Sequence, residues 1–131
     1  MKPYNTNEKV IQYFENQEIL YNDWYESYYS SEAFPGQPVA IMPNIDYIMQ
    51  SFNHWFIKRK NVLYNLICVE WDYPNRKKEY SDSVTLAVAL SDFIISSTIK
   101  VPSPIALAVL LVQNGLDKLC YECPKIDIGK S

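Results

Sequence analysis

Glycine is scarce in this sequence, with only three residues in 131, and none of the glycine-rich loops that bind nucleotide phosphates is present. The G-x-S-x-G and H-E-x-x-H motifs, which place a nucleophile or a zinc ion in common hydrolases, are also missing. A single histidine, His54, leaves little material for acid–base chemistry. We therefore expect a protein that is not an enzyme, and the sequence identifies no cofactor and no small-molecule substrate.

Positive charge is also limited, because 12 lysines and arginines face 15 acidic residues and the net charge is −3. The basic residues form no long tract, so we do not expect nucleic acid as a partner. No apolar run follows the lysine in "MKPYNTNEKV", which argues against a secretory signal. Three cysteines are an odd number and a poor disulfide framework. We expect all three to be reduced and the protein to be cytoplasmic.

Hydrophobic residues make up 48% of the chain, enough for one domain with its own core. Their spacing of three and four residues predicts an all-α, single-domain bundle of about four main helices. The run "ICVEW" also suits a short strand, so residues 61–72 are open between helix and strand, with helix preferred because no second strand is present to pair with it. The predicted order is helix 6–30, proline-rich connector 31–43, helix 44–73 with a break near 60 left open, polar loop 74–82, helices 83–99 and 104–120, and tail 121–131.

The two last helices form an apolar hairpin, residues 83–119, around the proline turn "KVPSP". A membrane-spanning helix needs about 20 mostly apolar residues, whereas the first run contains Asp92 and the second is broken at Gln113. The pattern therefore predicts that the hairpin is the centre of the core, with helix 83–99 apolar on all sides. The alternative is a conditional membrane-active effector that inserts this hairpin once it is released.

The first predicted helix contains the aromatic run "YFENQEILYNDWYESYY". Tyrosine and tryptophan are enriched in protein contact surfaces, and these rings cover more than one helical face. The leading hypothesis is a non-catalytic interaction module, or a small subunit of a larger assembly, that binds a protein partner or another copy of itself. An amphipathic helix with exposed tyrosine hydroxyls is the equally open alternative. The predicted contact residues are Tyr13, Tyr21, Trp24, Tyr25, Tyr28 and Tyr29.

A third hypothesis is a small zinc module, because Cys120 and Cys123 form the C-x-x-C spacing in "CYEC". Cys68 and His54 would complete a Cys3His ligand set. On one continuous helix, however, these two residues lie about 21 Å apart along the axis, too far to share an ion. The favoured interpretation is that Cys68 is a small core residue and that His54 is a half-buried helix residue with one hydrogen bond.

Overall fold

The computed structural model describes residues 6–121, and the regular secondary structure in that range is all helical, without a strand. This confirms the predicted all-α bundle and shows that residues 61–72 do not form a strand. Two segments are π-helical, Tyr29–Ala33 and Tyr64–Glu70, and Lys77–Glu79 forms a 3-10 turn. The α-helices are α1 Thr6–Glu15, α2 Gln17–Tyr28, α3 Ile45–Lys58, α4 Lys60–Leu63, α5 Tyr73–Arg76, α6 Ser83–Ser96, α7 Pro104–Asn114 and α8 Leu116–Tyr121.

The prediction of one helix over 6–30 is wrong, because the chain breaks at Asn16 into α1 and α2. Asn16 has an extended backbone, with φ −141° and ψ 98°, and its side-chain oxygen accepts a hydrogen bond from the Ile19 N–H at 3.1 Å. An asparagine side chain that caps a new helix in this way competes with continuation of the old one. As a result α1 packs against α6 and α7, whereas α2 packs mainly against α3.

The predicted helix 44–73 is interrupted at Arg59, where φ is −107° and ψ is 9°, close to the position where the sequence left a break open. Beyond Arg59 the chain forms α4 and the wider π-helical segment, and it ends at Asp72 in the left-handed region with φ 60°. Helix 104–120 is likewise divided, at Gly115, whose φ of 105° suits glycine best. These breaks turn long predicted helices into short ones that fold back onto the core.

The centre of the core is α7, in which every residue from Ile105 to Leu111 is buried. α1, α2 and α6 all pack against it. The prediction for helix 83–99 is corrected here: α6 buries only Ala87, Leu90, Ser91 and Ile94. Thr85, Asp92 and Ser96 lie on one exposed face of α6, so the other elements do not surround this helix as they surround α7.

Within residues 6–121, no helix combines the length and the apolar content that crossing a bilayer requires.

Candidate functional site

Most of the aromatic residues predicted to contact a partner are instead part of the core. The ring of Trp24 meets Phe52 and Trp55 edge to face, with centroids 5.2 and 5.8 Å apart. α2 lies against α3 and buries this cluster, so its rings are covered by the chain itself and are inaccessible to another protein in this structure. The predicted contact residues that are buried are Tyr13, Tyr21, Trp24 and Tyr25.

The other two predicted residues, Tyr28 and Tyr29, are half-buried. Tyr28 stacks on Trp24 with ring centroids 4.9 Å apart and planes 8° from parallel, so one face of its ring supports the core. Tyr29 turns toward Phe34, and the two centroids are 4.7 Å apart. Tyr29 therefore belongs to a different group of rings, which reaches the surface.

We call this group the aromatic patch; it consists of Tyr25, Tyr29, Phe34 and Tyr47. Tyr25 lies at its base, with ring centroids 5.9 Å from Tyr29 and 6.3 Å from Tyr47. Phe34 is 53% exposed and Tyr47 is 54% exposed. Neither residue is among the contact residues predicted from the sequence, although Tyr47 lies off the apolar stripe of its helix and Phe34 lies in the proline-rich connector. An aromatic ring at a position that no core pattern explains is the signal that could have found them.

Backbone hydrogen bonds hold the part of the connector that carries Phe34. The Phe34 N–H donates to the Tyr29 carbonyl at 2.7 Å, and the Gly36 N–H donates to the Ser30 carbonyl at 2.9 Å. The Gln37 N–H then donates back to the Phe34 carbonyl at 3.0 Å. Gly36 has φ +81°, a conformation that favours glycine. The patch is thus presented by a defined turn and by helix ends.

Two acidic residues are sequence neighbours of patch tyrosines. Glu26 and Asp46 are exposed and adjoin Tyr25 and Tyr47 along the chain, and neither forms an ion pair with any residue that the structure describes. Burial, followed by the neighbouring Tyr47, raises the pKa of Tyr25, so its phenol stays neutral at physiological pH. The surface therefore combines uncharged rings with uncompensated negative charge.

A disulfide between Cys68 and Cys120 overturns the expectation of three reduced cysteines. The two residues are 52 positions apart in sequence, yet their Cα atoms are 5.4 Å apart, inside the range of disulfides. The fold brings them together by packing α8 against the π-helical segment that contains Cys68, which no sequence spacing reveals. The third cysteine, Cys123, lies outside the described residues.

The predicted zinc ligands are corrected by the same bond. A cysteine binds zinc as a thiolate, and neither Cys68 nor Cys120 has a free sulfur. No group of three or more metal-binding side chains occurs between residues 6 and 121. His54 is exposed rather than half-buried, because the buried face of α3 runs through Ile48, Phe52 and Trp55. Its imidazole makes no hydrogen bond to a residue of the described range.

The disulfide also removes one argument for the cytoplasm. Disulfides persist mainly in oxidising compartments, and the expectation of a cytoplasmic protein depended in part on reduced cysteines. The cytoplasmic location therefore stays a prediction without support from the cysteines.

No protein-family model, curated protein or solved structure matches this chain.

Proposed function

We propose that this protein is a non-catalytic interaction module that binds a protein partner through the aromatic patch. The observation that carries the proposal is the exposure of Phe34 and Tyr47, each more than half accessible, where Phe34 packs on Tyr29 and Tyr47 on the buried Tyr25. Exposed aromatic side chains next to polar ones are typical of contact surfaces, where buried aromatic anchors supply most of the binding energy.

The rings of the patch are held before any partner arrives. Tyr47 leans edge-on against Tyr25, and Phe34 is fixed by its ring contact and by its backbone hydrogen bond to Tyr29. Side chains that are already ordered lose little conformational entropy on association. This preorganisation supports the interpretation that Phe34 and Tyr47 form a specific contact surface.

The charge around the patch indicates the chemistry of the partner. Glu26 and Asp46 lack a counter-ion within the described residues, and the whole chain carries a net charge of −3. A partner segment with lysine or arginine beside an apolar side chain would satisfy these carboxylates and place a cation over the tyrosine rings. A second copy of the chain would bring like charges together, which disfavours a homodimer through this surface.

The test compares a patch variant, Phe34→Ala/Tyr47→Ala, with a control variant, Val69→Ala/Ile95→Ala. The control residues are 57% and 54% exposed, as much as the patch residues, and lie elsewhere. Proteins that the wild type and the control capture from a cell extract, but the patch variant does not, are purified, and their affinity is measured by calorimetry. We expect the affinity to fall at least about tenfold in the patch variant.

Charge is tested in a second pair of measurements on the purified partner. Glu26→Gln/Asp46→Asn should weaken binding at low salt and reduce its dependence on ionic strength. Equal affinity of the patch and control variants contradicts the proposal. A dimer of the chain that the patch variant abolishes, seen by light scattering, would assign the surface to self-association instead.

A further inference from the structure

A cleft of about 450 Å³ lies between α3, α7 and α8, away from the aromatic patch. Its volume is within the range of about 300–1,000 Å³ that small-molecule sites occupy. Phe52, Phe56 and Leu119 contribute apolar surface to its lining. The two phenylalanine rings are 6.1 Å apart and 26° from parallel. Phe52 is only 4% exposed, so the half-buried ring of Phe56 is the aromatic surface that the cleft offers to a flat apolar group.

Two cations line the same cleft, Lys60 of α4 and Lys118 of α8. The ammonium group of neither lysine makes an ion pair or a hydrogen bond with a residue of the described range. The carboxylate next to Lys118, Asp117, is already engaged: Tyr73 donates a hydrogen bond to it at 2.9 Å, and Lys77 lies 3.2 Å from it. In a chain of net charge −3, these two lysines form a local positive site without an internal counter-ion.

The walls of the cleft are fixed by the fold. Gly115 turns the chain between α7 and α8 with φ 105°, and α8 is joined covalently to the π-helical segment through Cys120, the neighbour of Leu119. Asn114, which also lines the cleft, donates its amide to the Leu110 carbonyl at 2.7 Å. These links hold the backbone at Lys118 and the side chain of Asn114 in defined places at the cleft.

We infer that this cleft binds a small molecule that carries an anionic group on an aromatic body, such as an aryl carboxylate, sulfonate or phosphate. The Phe56 ring would contact the aromatic body, and Lys60 and Lys118 would donate charge-assisted hydrogen bonds to the anion. The site shares no residue with the aromatic patch, and this inference does not depend on the proposed function.

The inference is tested with two fluorescent probes, anilinonaphthalene sulfonate and phenylnaphthylamine, which is the same aromatic body without the charge. The cleft variant is Lys60→Gln/Lys118→Gln. The control is Lys78→Gln/Lys100→Gln, which removes the same charge from exposed positions outside the cleft. We expect the cleft variant to bind the sulfonate at least about tenfold more weakly than the control and to bind the neutral probe as the wild type does.

A blocking variant places the probe in the cleft. Asn53 lies on the exposed side of the lining, so Asn53→Trp should fill the space and abolish binding of both probes. The inference is overturned if the wild type binds no sulfonate probe, if the cleft and control variants bind it equally, or if binding survives Asn53→Trp. Equal loss of the neutral probe in the cleft variant would also overturn it, because the lysines would then not act through charge.

Discussion

The disulfide between Cys68 and Cys120 should contribute a large part of the stability of this protein. It closes a loop of 52 residues, and the chain entropy that such a link removes from the unfolded state corresponds to about 4 kcal/mol at 25 °C. That is a substantial share of the roughly 5–15 kcal/mol by which domains are stable. α8 has only six residues, and its other attachments are the buried Leu116 and Leu119 and the hydrogen bond from Tyr73 to Asp117.

Urea unfolding measures this contribution, with tryptophan fluorescence as the signal because Trp24, Trp55 and Trp71 are all buried. At a slope of about 2 kcal/mol per M, loss of the link should lower the midpoint by about 2 M. Cys68→Ala, Cys120→Ala and the double variant should unfold at nearly the same urea concentration, because each one breaks the whole bond. Reductant added to the wild type should have the same effect without changing any side-chain volume.

The matched control is Cys123→Ala, which removes a cysteine but not this bond and should leave the midpoint unchanged. Three results would refute the reasoning. The first is a wild-type protein that unfolds at the same urea concentration with and without reductant. The second is a double variant in which the effects of the two single variants add. The third is reaction of all three cysteines with an alkylating reagent in the native protein.

Three further predictions concern single side chains. Ser91 is fully buried and its hydroxyl has no hydrogen-bond partner among the described residues, so Ser91→Ala should raise the free energy of unfolding by about 1 kcal/mol. A lower Tm in thermal denaturation would contradict this. Asn16→Ala removes the cap of α2 and should lower that free energy by about 1 kcal/mol, whereas the exposed neighbour Gln17→Ala serves as the control and should have little effect. The hydrogen bond from the Thr85 N–H lowers the pKa of Asp82. The ionised Asp82 therefore stabilises the folded state above its ordinary pKa, and this stabilisation is lost as pH falls through the lowered pKa. The free energy of unfolding of Asp82→Asn should depend less on pH below about 4 than that of the wild type, and an unchanged pH profile would contradict the cap.

The helical class followed from the sequence because its apolar residues recur at helical spacing, and that spacing reports burial directly. The same pattern misled at Asn16, since the aromatic stripe continues across a residue whose side chain caps a new helix. It also misled for the binding surface, because the rings of Trp24 and Tyr25 look alike in sequence whether a partner or α3 covers them. The exposed rings of the patch were not predicted because Phe34 lies in the connector and Tyr47 in α3, and no repeating sequence pattern links these two segments.

By itself, the sequence determined the helical class and the position of the proline-rich connector, because each depends on neighbours within a few residues along the chain. Only the tertiary structure decided which helix is central, that Cys68 meets Cys120, that Tyr47 packs on Tyr25, and that Lys60 and Lys118 line one cleft. These features join residues that are distant along the chain. Their distances depend on how all the helices pack together, which local spacing does not encode.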